Sequence, residues 1–235
     1  MKPVYLLEND PLLPGAGLLV RVLERHGLPW RALQAHAGEA DGLEPGDAAA
    51  VVVLGGRQHA WEEEEHPHLR VERLLLAGCV AEGVPALGCC LGGQILARAC
   101  GGEVRSAPRG VHGWYRIDPT DAAAADPLFA GATPQSAVYG WHLDEFTLPA
   151  GAVHLATGSP CVQQGFRIGS AWGVQFHPEA DPATIRGWFA NFPDAAASVG
   201  LDEAEIHAEA ERHDREPAFP ERLLEGFAGV ALRSA

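Results

Sequence analysis

The chain of 235 residues is short of positive charge: 17 Lys and Arg face 31 Asp and Glu, a net charge of −14. Such a surface repels phosphate backbones and anionic lipid, which excludes nucleic acid and membrane surfaces as expected partners. Long apolar runs are also missing. The first one, Val4 to Leu7, is cut off by Glu8, too short for a signal peptide, and no later segment has the length of a membrane span. A cytoplasmic protein is expected. The five cysteines, Cys79, Cys89, Cys90, Cys100 and Cys161, show no paired C-x-x-C spacing, so no zinc or redox site is expected and most should be small buried hydrophobes. No metal and no cofactor is called for.

What is present is apolar periodicity of alternating kind. Val4 to Leu7 reads as a strand, and Leu18, Leu19, Val22 and Leu23 recur at helical spacing up to Gly27. Trp30 to Leu33 is a second strand. Ala48 to Leu54 is an unbroken apolar run ending in Gly55-Gly56, as expected of a central strand buried on both faces. A helix through Leu69, Leu75 and Val80 ends near Gly83, followed by a strand from Val84 to Cys89 and a helix from Leu91 to Cys100. This alternation predicts an α/β fold with a doubly wound, mostly parallel sheet.

After Val104 the pattern breaks into short alternating runs, Val111–Ile117, Ala137–Tyr139, Val153–Ala156, Val162–Ile168 and Ala171–Phe176, which predict a mostly antiparallel extension. Asp181 caps a helix through Ile185, Trp188 and Phe189, with Pro182 at its first position. A polar helix from Leu201 to Arg215, a break at Pro217 to Pro220 and an amphipathic helix carrying Leu223, Leu224 and Phe227 complete the chain. One domain over residues 1–192, with a helical extension over 193–235 packed on it, is the expected organisation. The acidic run Glu62 to Glu65 reads as a solvated loop or helix start.

Chemistry concentrates in Gly88-Cys89-Cys90-Leu91-Gly92-Gly93-Gln94. Small residues at 88 and 92, between a strand and a helix, form the sharp elbow that projects a nucleophile into a cleft. Free N–H groups and the helix dipole there favour a thiolate at Cys90, while Cys89, one residue earlier on the strand, faces the other way and should be inert. A thiolate that attacks an amide needs oxyanion donors and a general acid. Leu91 offers one backbone N–H, and the Gly55-Gly56 turn the other, glycine allowing close approach and positive φ. Of eleven histidines, His177 alone ends an apolar strand and has a carboxylate, Glu179, two residues on. Cys90, His177 and Glu179 thus form a candidate triad.

G-x-C-x-G-x-Q followed far downstream by H-P-E resembles the class I glutamine amidotransferases, including the amidotransferase domain of GMP synthase. The resemblance covers residues 1–192. It implies a flavodoxin-like sheet and hydrolysis of a side-chain amide through a Cys90 thioester, with His177 as general base and acid, Glu179 as orienting carboxylate, and Gly56 and Leu91 as oxyanion donors. It implies substrate contacts from Gln94 and from Trp141, His142, Leu143 and Asp144, in a stretch similar to the family loop that gathers the substrate's amino acid end. From the residues alone, His142 and Asp144 read as a surface turn or a weak metal pair. Gly93, where relatives often carry a bulkier residue, is expected to widen the pocket, and Trp141 to alter recognition of the substrate's far end. The implied partners are glutamine or a γ-glutamyl compound and a separate synthase subunit that takes the ammonia. A stand-alone γ-glutamyl peptidase or amide hydrolase is the second reading. A non-catalytic regulatory subunit is the third, disfavoured by the intact triad.

Overall fold

The computed structural model describes residues 1–194, 200–215 and 219–235. Strands β1 (Val4–Glu8), β2 (Trp30–Gln34), β3 (Ala50–Val53) and β4 (Ala86–Cys89) pair in parallel in the order β2-β1-β3-β4. The helices between them are α1 (Gly17–Arg25), α2 (Pro67–Glu82) and, after β4, α3 (Leu91–Ala99). The apolar run at residues 48–54 is completely buried, as a strand covered on both faces must be. The two-residue period of β3 sends Ala50 and Val52 into the core under α1, and Val51 and Val53 into the core under α2 and α3. Gly83 closes α2 with φ 75°, a left-handed position that glycine occupies without strain.

The second half holds β5 (Val104–Arg116), β6 (Asp118–Pro119), β7 (Ala137–Phe146), β8 (Val153–Thr157), β9 (Gln163–Ile168) and β10 (Ala171–Val174). Two of these depart from expectation. β10, expected within the antiparallel group, is antiparallel to β9 but parallel to β4, so it completes the central sheet. The segment around residues 139–146, expected as a loop, lies within β7, which pairs with the long β5 in a two-stranded ribbon with an irregularity between Ser106 and Val111. The polar residues His142 and Asp144 interrupt the apolar alternation, which hides the strand. Neither is on a surface turn: they are 4% and 5% exposed.

Helix α4 (Pro182–Asn191) begins as expected, with the Asp181 carboxylate accepting from the Thr184 N–H at 2.8 Å. It is followed by α5 (Glu203–Arg215) and α6 (Phe219–Leu232). Pro217, the predicted break, lies outside the described residues; Pro220 sits in the first turn of α6. Leu223, Leu224 and Phe227 of α6 join the core beneath α1, and Ile206 and Ala210 of α5 join a cluster with Trp188 and Phe189 of α4. The acidic run at 62–65 is a turn before α2, and only Glu64 and Glu65 are exposed. Glu63 instead accepts from Arg73 and Arg98, each at 2.7 Å, and the Arg73 guanidinium holds its carboxyl below the usual range.

The elbow between β4 and α3 is packed backbone against backbone. A Cβ at Gly92 would lie 2.0 Å from the Val53 carbonyl oxygen, one at Gly88 2.3 Å from that of Gly92, and one at Gly93 2.5 Å from that of Val174. Gly93 therefore does not widen a pocket; it lets α3 dock on β10. Gly92→Ala is expected to cost about 1–3 kcal/mol. The readout is a lower urea midpoint at unchanged slope; an unshifted midpoint would mean the elbow is looser than its packing implies.

Candidate active site

Cys90 is the one non-glycine residue with positive φ among those described, at φ 52° and ψ −109°. A side chain held in that conformation is strained, and the surrounding hydrogen bonds maintain it. The Cys90 N–H donates to the Val174 carbonyl at 2.9 Å, and the Gln94 N–H donates to the Cys90 carbonyl at 3.1 Å. Cys90 is thereby the N-cap of α3, where first-turn N–H groups lack partners within the helix and the dipole is positive. Cys89 faces the opposite core, fully buried, and burial, with the charges of Glu179 and Cys90, pushes its thiol well above the ordinary range.

His177 follows β10, the strand beside β4, so the Cys90 thiol and the imidazole leave the sheet from neighbouring carboxyl ends. The His177 N–H donates to the Tyr139 carbonyl at 2.9 Å, and Nδ1 lies 2.8 Å from Glu179 Oε1. The carboxylate holds the proton on Nδ1 and leaves Nε2 free of Glu179. Burial alone pulls the imidazole down, but the charges of Glu179 and Cys90 outweigh it and raise it to about 10. The imidazolium is thus retained across neutral pH, and its contribution to stability is lost as pH rises through that value. Gly55 sits between the two groups: a Cβ there would meet His177 Cε1 at 2.7 Å and the Cys90 Cβ at 3.7 Å. Neither Gly55 nor Gly56 takes the positive φ expected of it; what glycine supplies at this turn is room.

A cavity of about 330 Å³ opens on these residues. Every residue expected from sequence borders it: Cys90, His177, Glu179, Gly56, Leu91, Gln94, Trp141, His142, Leu143 and Asp144. Their postures differ. Leu143 is 67% exposed and reaches only the rim, because β7 alternates and turns His142 and Asp144 inward. The Trp141 carbonyl accepts from the Cys90 thiol at 3.6 Å, Gln94 Nε2 donates to the Asp144 carbonyl at 3.3 Å, and His142 Nδ1 lies 3.0 Å from the same oxygen. Burial pushes His142 down to about 4, which keeps it neutral.

Sequence reasoning missed several lining residues. His59 lies beyond the glycine turn, 2.6 Å from Asp144 Oδ2 and stacked on Trp61 with ring centroids 4.6 Å apart. Among the described residues, Asp144 Oδ1 is buried without a hydrogen-bond partner. Arg57 pairs with the buried Asp10 at 2.5 Å and lies over the Phe192 ring. Leu13, Trp188 and Phe192 form an apolar wall. Residues 188 and 192 are one helical turn apart, a signal that marks a shared face but not what it faces.

Comparison with known proteins meets this geometry. The class I glutamine amidotransferase family matches residues 19–192. The chain is 37% identical to the A subunit of the glutamine-hydrolysing GMP synthase of Methanosarcina mazei over 99 residues, 41% of this chain and 51% of that protein. It therefore spans about half the length of these A subunits, to which it is similar. A glutamine amidotransferase-like protein of Salmonella typhimurium, YfeJ, is 30% identical over 73% of this chain and 74% of its own. Among solved structures, a Thermotoga maritima glutamine amidotransferase superposes with a TM-score of 0.87 at 27% identity, covering 96% of both chains. The flavodoxin-like sheet, the elbow and the family match agree: the chain belongs to the class I glutamine amidotransferase family.

Proposed function

We propose that the protein hydrolyses a γ-glutamyl amide through a thioester on Cys90, with His177 and Glu179 completing the triad. The observation that carries this reading is the 2.8 Å contact of His177 Nδ1 with Glu179, combined with the space at Gly55, where a Cβ would meet both His177 and Cys90. The Cys90 sulfur attacks the amide carbon, and the backbone N–H groups of Gly56 and Leu91 stabilise the oxyanion. His177 gives its proton to the departing nitrogen and then takes one from the water that cleaves the thioester. Asp144 Oδ1 receives the substrate's α-ammonium, because a buried, unpartnered carboxylate oxygen calls for a cationic donor. His59 fixes its other oxygen, and Gln94 holds the β7 backbone beside it.

In this reading glutamine is a substrate, and the similarity to GMP synthase A subunits supports delivery of ammonia to a separate synthase. Residues 193–235 are proposed as an extension of the same domain, since α6 shares its core. The apolar wall beside His177 favours a second reading, a stand-alone γ-glutamyl amide hydrolase.

A glutamine-like diazo ketone is expected to add its mass to Cys90, read by peptide mass spectrometry; an unlabelled Cys90 would sink the thioester reading. Cys90→Ala should abolish turnover while Cys89→Ala keeps most of it, and equal loss would identify the wrong thiol. Asp144→Asn is expected to raise KM for glutamine about 10- to 100-fold, the loss of one charge-assisted bond, with kcat changed far less; an unchanged KM would remove Asp144 from the substrate's amino end. The profile of kcat/KM should stay flat through neutral pH and fall on the alkaline side as His177 loses its proton near about 10. Glu179→Gln should move that fall to lower pH, because the charge that raises His177 is gone; an unmoved limb would assign it to another group.

A further inference from the structure

The cavity is polar at one end and aromatic at the other. Asp144, with Gln94 and His59 bonded to it, marks the polar end. Trp141 lies three residues back along β7, about 10 Å at strand rise, and its carbonyl touches the Cys90 sulfur. Around it stand Trp188, with ring centroids 6.2 Å from Trp141, and Phe192, at 5.9 Å. Trp188 also packs edge-on against the His177 ring at 5.0 Å, and Leu13 closes the wall.

His177 decides which part of a substrate meets these rings. Its Nε2 must face the nitrogen that departs, so the wall beside it contacts the leaving group and not the γ-glutamyl chain. Ammonia, the leaving group of glutamine, has no carbon to place against two indoles and a phenyl ring. The wall is also pre-formed. Trp141 stacks on His112 at 4.4 Å and on Phe189 at 5.4 Å, and Trp188 Nε1 donates to the Pro14 carbonyl at 3.2 Å. Rings fixed in this way lose little entropy on binding. The cavity, about 330 Å³, falls in the range of sites that take ligands larger than a single amino acid.

Resting on the thioester reading above, we infer that the preferred substrate is a γ-glutamyl amide of an amine bearing an aromatic or bulky apolar group, and that Trp141 and Phe192 set this preference. In the reaction the Cys90 sulfur–carbon bond forms and the carbon–nitrogen bond breaks, the proton of His177 going to the amine nitrogen. Water then replaces sulfur at the carbon, returning one proton to His177. One amide and one water give one amine and one glutamate.

The test compares kcat/KM for γ-glutamyl-4-nitroanilide and γ-glutamylphenylalanine with that for glutamine and γ-glutamylalanine, on the full chain. The aromatic pair is expected to exceed the small pair by about 10- to 100-fold, the discrimination an apolar pocket gives. Phe192→Ala and Trp141→Ser should remove most of that ratio through KM, the aromatic pair losing far more than the small pair. Equal kcat/KM for all four substrates, or variants that slow all four alike, would overturn the inference. If Cys90 takes up the diazo ketone and glutamine is hydrolysed fastest, the thioester reading survives and only the leaving-group preference is wrong. If Cys90 takes up no label and no amide is cleaved, both are wrong.

Discussion

The contact between Gly92 and the Val53 carbonyl sets the position of almost everything that follows. With no side chain at 92, the first turn of α3 settles onto β3 and forces the chain at Cys90 through a left-handed conformation. That conformation lifts the thiol out of the sheet and aims the helix N-terminus at it. The strain at one residue is offset by backbone hydrogen bonds on either side, from Cys90 to β10 and from Gln94 back to Cys90. Gly88 and Gly93 extend the same close packing to the neighbouring turn and strand.

Much of this was legible in the sequence because it depends on local pattern. A fully apolar run at 48–54, glycine pairs at strand ends and a small-residue frame about Cys90 are one-dimensional signatures of a parallel sheet and its elbow. The pairing of His177 with Glu179 is legible for the same reason, since two residues of separation leave them within reach of each other. The inward turn of Asp144 and the extent of β7 were not, because a polar pair inside a strand resembles a loop until its burial is seen. Gly93 was misread in the opposite sense. A missing side chain leaves space only when no backbone fills it, and here the carbonyl of Val174 does.

His59, Arg57, Trp188 and Phe192 could not be found by pattern at all. They belong to a turn beyond the glycines and to a helix some ninety residues or more after Cys90. What assembles them is the sheet order, in which β10 returns to lie beside β4 and the following helix brings Trp188 and Phe192 to the cavity. The C-terminal helices then press on that arrangement from outside. Ile206 and Ala210 of α5 pack in the same cluster as Trp188, and Arg21 of α1 ties Asp181 at the start of α4 to Asp214 of α5.

The pairing of β4 with β10 has one more consequence. Gly88 lies opposite Gly173 and Cys89 opposite Val174, so the chain segments that carry the sulfur and the imidazole leave two adjacent strands at the middle of the sheet. The helix α4 lies outside that ladder, whereas β7 is tied to it through the Tyr139 carbonyl, which accepts from the His177 N–H. A change within α4 can therefore reshape the mouth of the cavity while the pairing of β4 with β10 beneath it stays as it is.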